Sequence, residues 1–326
     1  MNALRILMFS LFVGALLPLF IVGTVGYTLR LKIKNRGISG TAYDPLFGRL
    51  LFHYAGTRDD RAAVKLAPHL PALSPSIEWL IGTLGLAARL SGYQGSFFSY
   101  PGARPSSMIS MMVHRTAFFD EALASAVDPT GPHPAQQVVF LGAGWDTRAY
   151  GALRDRPVRV FEVDTPATQR AKTQALERAG IDASHVTFVE TDFGQTSWLD
   201  ALLVRGFDPA LPTFILWEGV TMYLDEETVQ TTLRKVSGLA VGSRIAFDTM
   251  SLEYFQGFFG QYMHLMIKGF YGESWQFFMS TRAPARKQAS DFIASQGLAL
   301  AAYEPMGEER GKTVPFGGFA LAERSG

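Results

Sequence analysis

The longest uninterrupted apolar pattern lies at the start of the chain, where the 24 residues from Ile6 to Leu29 carry no charge. A helix that crosses a bilayer needs about 20 such residues. Basic residues follow at positions 30, 32, 34 and 36, against one arginine before the run. This bias predicts that the remainder of the chain is cytoplasmic. A cleaved signal peptide is the alternative, but the run is long and lacks a small-x-small cleavage site. We therefore expect a retained single-pass membrane anchor, residues 1–36.

Residues 37–131 show apolar positions at helical spacing, interrupted by prolines. The pattern predicts a helical region with helices over 58–70, 74–90 and 106–126. The second of these is too short for a span and contains a glutamate, so we interpret it as a buried or membrane-surface helix.

From residue 132 the pattern changes to short β-branched or aromatic runs that alternate with helical segments. The predicted strands are 136–142, 158–164, 186–192, 212–219 and 243–250, and the predicted helices are 165–180, 225–239 and 286–298. Alternation of this kind is typical of a parallel, doubly wound α/β sheet. The stretch 318–324 is expected to be a last strand that closes the sheet.

Ten aromatic residues lie within residues 251–280, after the fifth predicted strand. Ordinary core packing is one interpretation of this stretch. The other is a lid that lines an apolar pocket or touches the bilayer interface.

The composition and the motifs argue against several classes of function. A net charge of +1 gives no reason to expect nucleic acid as a partner. The absence of cysteine excludes disulfides, thiolate metal sites and a cysteine nucleophile. The six histidines form no metal-ligand pair, so we expect no metal. The sequence contains neither a phosphate-loop lysine motif nor a G-x-S-x-G nucleophile turn.

The ends of four successive strands each carry glycine or an acid. These residues are Gly142 and Gly144, Glu162 and Asp164, Asp192, and Glu218. Ligands of open α/β sheets bind at the carboxyl ends of strands, and a carboxylate after the second strand accepts ribose hydroxyls. Together they predict a nucleotide site, although any one of them could cap a helix. We also expect a helix to start after the first glycine turn, where Asp146 is well placed to cap it.

The first glycine turn distinguishes between cofactors. Thr147 stands where a dinucleotide-binding turn has its third glycine, and Asp146 would repel a pyrophosphate. A cationic sulfonium ligand suits an acidic pocket better, which favours S-adenosyl-L-methionine. An NAD(P)-dependent reductase on a Rossmann-like sheet and a non-catalytic membrane-anchored scaffold are the alternatives.

The motifs "VVFLGAGWDTRAY", "FEVDTPATQRAK", "VETDF", "WEGVTMYL" and "HRTAFFDEAL" resemble the S-adenosylmethionine-dependent methyltransferases of the leucine carboxyl methyltransferase family, including its bacterial polyketide O-methyltransferase branch. The resemblance runs from about residue 37 to the end. It implies a class I methyltransferase fold with a mostly parallel seven-stranded sheet over residues 132–326, covered by the helical region 37–131.

The resemblance also implies the roles of individual residues. Arg115 would pair with the methionine carboxylate, and the glycines at 142 and 144 would flank the methionine. Asp164, rather than Glu162, would hold the ribose. Asp192 and Phe193 would contact the adenine, and Glu218 would face the amino or sulfonium group. For Arg115 and Arg148 a structural ion pair is the alternative.

The implied reaction transfers a methyl group to a carboxylate or hydroxyl oxygen of a small, lipophilic acceptor. A hydroxyl benefits from a general base, for which Tyr223 and His264 are candidates. Catalysis by proximity alone is equally compatible with the sequence.

Overall fold

The computed structural model describes residues 3–34, 37–73, 75–95, 97–102, 110–192, 197–309 and 313–326. Its α-helices are α1 (Ala3–Lys34), α2 (Tyr43–Ala55), α3 (Arg61–Leu66), α4 (Pro75–Ser91), α5 (Met111–Ala126), α6 (Pro166–Arg178), α7 (Trp198–Val204), α8 (Glu226–Ser237), α9 (Leu252–Gln256), α10 (Phe258–Tyr271) and α11 (Ala285–Ala294). Its strands are β1 (Gln137–Leu141), β2 (Arg159–Asp164), β3 (Val186–Glu190), β4 (Thr213–Trp217), β5 (Arg244–Ser251), β6 (Phe278–Met279), β7 (Ala299–Pro305) and β8 (Gly317–Glu323).

The strands form one sheet in the order β3-β2-β1-β4-β5-β8-β7, and the two-residue β6 pairs with β5. The first five strands are parallel, whereas β8 is antiparallel to both β5 and β7. The expected mostly parallel, doubly wound α/β sheet is confirmed. The strand order reverses between β1 and β4, and ligands of such sheets bind in the crevice at that point.

Helices cover both faces of the sheet, which explains the nearly continuous apolar strands. Every residue of β1 and of β4 is buried. One apolar cluster joins the sheet to α2, α3 and α5, and a second joins it to α7, α8 and α11. The N-terminal helices therefore pack directly on the sheet.

Two expectations about the sheet are wrong. The helix expected after the first strand is absent, because residues 142–158, all of them described, hold only a 3₁₀ turn at Arg148–Tyr150. Gly151 and Pro157 disfavour a helix in this connection. The strand over 318–324 does not close the sheet, because β7 forms the edge outside it. Four of the seven β7 residues are partly covered and three are exposed, so its sequence lacks the pattern of a buried strand.

The apolar helix α1 packs lengthwise along α4. Near its start, the ring of Phe9 stacks on Tyr93 with ring centroids 4.2 Å apart. Near its end, the ring centroids of Tyr27 and Phe47 lie 5.2 Å apart, and Leu31 is buried. In the described part of the chain, α1 is the one helix long and apolar enough to cross a membrane, over Ala3–Ile33. One of its sides nevertheless faces protein.

Candidate functional site

A cavity of about 970 Å³ lies at the carboxyl ends of β1, β2 and β4, in the crevice where the strand order reverses. It is bounded on the far side by α2 and α10. Eight of the residues singled out from the sequence line it, namely Arg115, Gly142, Gly144, Asp146, Asp164, Asp192, Glu218 and Tyr223. The structure therefore brings residues from six separate segments into one space.

The glycine turn after β1 lies against the end of β2. Gly142 has φ +68°, and a Cβ there would overlap the side chain of Val220. The N–H of Gly144 donates to Asp164 Oδ2 at 2.7 Å, while the N–H of Thr165 donates to Oδ1 at 2.7 Å. Burial raises the pKa of Asp164, against these two hydrogen bonds. The turn thus fixes the direction of one carboxylate that faces the cavity.

The other acid of β2, Glu162, points away from the cavity. It is fully buried and contacts Lys172 Nζ at 2.7 Å through Oε2. The hydroxyl of Tyr150 donates to its Oε1 at 2.9 Å. Both oxygens are therefore occupied by these buried partners, and only Asp164 of this pair lines the cavity.

Arg115 reaches the cavity from α5. Its Nε contacts Glu218 at 2.9 Å and Asp248 at 3.3 Å. Burial opposes its charge, but Asp248 and Glu218 outweigh burial and raise the pKa of Arg115. Gly219 has φ +73°, and a Cβ there would overlap Arg115 Nη2. The guanidinium is thereby held against the end of β4.

The polar residues of the "WDTR" turn pair with the helical region. Arg148 contacts Asp120 at 2.6 Å and Glu218 at 2.8 Å, and it also pairs with Asp146. Asp146 further contacts Arg49 at 3.3 Å. Arg148 is 2% exposed and is not among the described residues that line the cavity. Arg148 therefore forms a structural ion pair, which the sequence analysis gave as the alternative to a role in ligand binding.

These ion pairs also weaken the inference that Asp146 would repel a pyrophosphate. Although burial opposes its charge, Arg148 and Arg49 hold the pKa of Asp146 well below its usual range. Its charge is thus compensated and does not by itself repel a pyrophosphate. Thr147 is likewise occupied, since its hydroxyl donates to Asp60 at 2.9 Å.

The half of the cavity towards α10 is rich in apolar and sulfur-containing side chains, and the acid Glu273, just after α10, also lines it. Six of the eleven methionines of the chain line the cavity, namely Met111, Met112, Met222, Met250, Met263 and Met306. Ile267, Trp275 and Phe316 lie among them. Methionine side chains are flexible and polarisable, so they adapt to apolar ligands of varied shape.

Asp44, which the sequence analysis missed, also lines the cavity. It lies in the first turn of α2. Burial raises the pKa of Asp44 to about 7, with Glu273 raising it further and Arg115 lowering it. An acid at a helix start is common, so nothing in the local sequence marks this one. Only its neighbours in the folded chain distinguish it.

The two catalytic candidates, Tyr223 and His264, differ in their position relative to the cavity. Tyr223 lines the cavity, and burial raises its pKa to about 12, so its hydroxyl stays protonated at neutral pH. His264 lies on α10 outside the cavity lining, where its Nδ1 faces the backbone N–H of Trp275 at 3.4 Å and its ring contacts Phe255. Asp192 follows β3 at the exposed rim. Phe193 lies outside the described residues.

The sequence of the chain is similar to known proteins over part of its length. The leucine carboxyl methyltransferase family model matches residues 86–237. Proteins of Saccharopolyspora erythraea and Streptomyces coelicolor, both named provisionally as S-adenosyl-L-methionine-dependent methyltransferases, are each 37% identical, over 46% and 41% of this chain.

Those stretches cover 52% and 49% of the two relatives, so the chain matches about half the length of these curated proteins. A solved structure of an O-methyltransferase family protein from Burkholderia thailandensis aligns with a TM-score of 0.43 at 17% identity, over 67% of this chain and 60% of that one. The sequence matches support a relationship to methyltransferases.

Proposed function

We propose that the protein is an S-adenosyl-L-methionine-dependent methyltransferase that methylates an oxygen of a small, lipophilic acceptor. The observation that carries this proposal is one cavity with two unlike halves. Acids and glycines from the strand ends line the first half, and methionines and aromatic residues line the second. A polar cofactor and an apolar acceptor would meet where the halves join.

The residues of the first half fit this cofactor. When bound, S-adenosyl-L-methionine supplies an electrophilic methyl group on a sulfonium sulfur. In this proposal Asp164 accepts the ribose hydroxyls and Asp192 contacts the adenine, as does Phe193, which lies outside the described residues. Arg115 uses Nε for Glu218 and Asp248, which leaves its Nη nitrogens for the methionine carboxylate. Glu218 acts by orienting Arg115.

A dinucleotide fits the same half poorly. Its pyrophosphate would need the N-terminus of a helix after β1, and residues 142–158 contain none. Thr147 fills the position of the third glycine and is buried against Asp60. We therefore place an NAD(P)-dependent reductase second.

Where the two halves join, Asp44 is the group best suited to take a proton from a hydroxyl acceptor. It lines the cavity, and a base works best with a pKa near the working pH. The protonated hydroxyl of Tyr223 can donate a hydrogen bond to the acceptor but does not act as a base. A carboxylate acceptor would need neither group.

Calorimetric titration with S-adenosylhomocysteine and, separately, with NADPH tests the cofactor assignment. We expect saturable binding of the first and none of the second. Arg154→Gln, a change at an exposed residue, is the matched control for Arg115→Gln, which should weaken binding. A folded sample that binds NADPH alone would overturn the proposal.

Methyl transfer distinguishes an enzyme from a scaffold. The full chain should move labelled methyl from S-adenosyl-L-methionine into a lipid extract, which a scaffold that only binds cofactor would not do. We also propose the organisation predicted above, with a membrane anchor at 1–36, a covering helical region at 37–131 and a lid at 251–280.

A further inference from the structure

The helix α10 presents apolar side chains on two opposite sides. On one side Met263, Ile267 and Tyr271 line the cavity. These residues are four positions apart, so they lie above one another on a single face of the helix. This inner face forms part of the wall of the apolar half of the cavity.

The outer face of α10 is exposed although it is apolar. It consists of Phe258 (90% exposed), Phe259 (47%), Tyr262 (49%), Leu265 (66%) and Met266 (48%). The spacing of one, four, seven and eight residues from Phe258 places all five on one side. A surface helix of a soluble protein normally turns polar residues outwards, and a contiguous exposed apolar patch marks an interaction site.

The C-terminal end of α10 lies next to the candidate membrane helix. The last turn of α10 meets the last turns of α1, where Lys32 Nζ lies 5.9 Å from the ring centroid of Phe270. Tyr27, Phe270 and Tyr271 pack on the same core cluster. Because α1 lies along α4 rather than projecting from the protein, the side of the molecule that carries α1 is the side that would meet lipid.

Charge at the junction fits a lipid surface as well. Lys32 and Lys268 are exposed where α1 and α10 meet, and Arg30 is partly exposed. Basic side chains beside an apolar face are typical of helices that lie at the interface of anionic membranes. Leu86 and Leu90 of α4 extend the exposed apolar surface along α1.

We propose that the outer face of α10 rests on a lipid bilayer, beside α1, so that α10 lies between the bilayer and the apolar half of the cavity. An acceptor dissolved in lipid would then reach the cavity by passing α10, without crossing water. This consequence rests on the proposed function, whereas the contact between α10 and lipid does not.

The absence of cysteine makes a direct test possible. The full chain carrying Leu265→Cys, labelled with a fluorophore, is reconstituted into vesicles of equal parts phosphatidylcholine and phosphatidylglycerol, with and without spin-labelled lipid. Val204→Cys is the matched control, because Val204 is 86% exposed on α7, which packs on the edge strand β3. We expect strong quenching by spin-labelled lipid at position 265 and little at position 204.

Equal quenching at the two positions would overturn the proposal. So would fluorescence at position 265 that depends on the ratio of protein to lipid and not on the spin label, since that result assigns the outer face to a second copy of the chain. Circular dichroism spectra that match the spectrum of the unlabelled chain show that both labelled proteins are folded. A failure of the proposed function would leave the quenching unchanged.

Discussion

The two halves of the cavity are built by opposite means. The first half of the cavity, which we call the cofactor half, is backed by buried ion pairs. Its arginines are Arg49, Arg115 and Arg148. The acids that they contact come from the helices, from the turn after β1 and from the ends of β4 and β5. The second half, towards α10, which we call the acceptor half, is lined by methionines and aromatic rings that are held in place by apolar packing. Ion pairs fix distances and angles, whereas methionines tolerate change. The comparison suggests one rigid, specific half and one adaptable half.

The strongest test of this difference removes a buried charge. Arg148→Met removes the one arginine that contacts the carboxylates of Asp120, Asp146 and Glu218 together. Each acid keeps one other arginine, namely Arg58, Arg49 and Arg115 in that order. Breaking a buried pair costs about 3–5 kcal/mol of unfolding free energy. We expect a large fall in the denaturant midpoint. Arg154→Met is the control, because Arg154 is half exposed and its contact with Asp182 is 3.9 Å long. Similar losses in both variants would contradict the ionic framework.

The next largest effect is expected at the junction of the halves. Asp44→Asn should lower kcat by about 10²- to 10⁴-fold on a hydroxyl acceptor, as the loss of a general base does, with unchanged S-adenosylhomocysteine affinity. In the unchanged protein, activity should rise as pH increases through about 7, where Asp44 loses its proton. Asp155→Asn, at an exposed site, is the control. A flat pH profile would exclude this role.

The raised pKa of Asp44 also has a consequence for stability. The folded chain keeps the proton up to pH about 7, whereas the unfolded chain releases it near its ordinary value of 3.8. Above pH about 7 the folded chain must hold Asp44 in its charged form, and this lowers the free energy of unfolding. Asp44→Asn should be more stable to denaturant at pH 8 than the unchanged protein, with no such gain at pH 4. A purely structural role predicts a loss at both values.

A smaller effect separates the two acids of β2. Asp164→Asn should weaken S-adenosylhomocysteine binding by about 10- to 100-fold, the value of a hydrogen bond to a charged group, while the denaturant midpoint stays near its original value. Glu162→Gln should do the reverse, because it leaves the buried Lys172 without its partner. Calorimetry and denaturation of both variants give the answer. Loss of binding in Glu162→Gln alone would reverse the assignment.

The smallest effect is expected in the acceptor half. Met263→Leu keeps the volume and apolar character of the wall, and such exchanges cost less than about 1.5 kcal/mol. We expect a change of a few fold in the relative kcat/KM of acceptors of different shape, with cofactor affinity unchanged. Complete loss of activity would show that this half is as tightly specified as the other.

The sequence predicted the elements whose signal is local. Strands β1, β2, β4 and β5 are largely buried on both faces, so their apolar runs are unmistakable. Helices α6 and α8 show clear helical spacing. The edge strand β7 was missed because half-covered residues carry no such pattern. The missing helix after β1 is a different failure, since the polar residues of that turn are used in long-range ion pairs that no local rule reveals.

By itself the sequence determined which residues end the strands, and therefore that glycines and acids gather at one edge of the sheet. Only the tertiary structure decided which of them face the cavity. Glu162 and Asp164 are two positions apart on one strand, yet a buried lysine compensates one of them while the other lines the cavity. Asp44 is more than 90 positions before the glycine turn in the sequence. Its proximity to Arg115 and Glu273 depends on chain folding, because charge and burial act through space and not along the sequence.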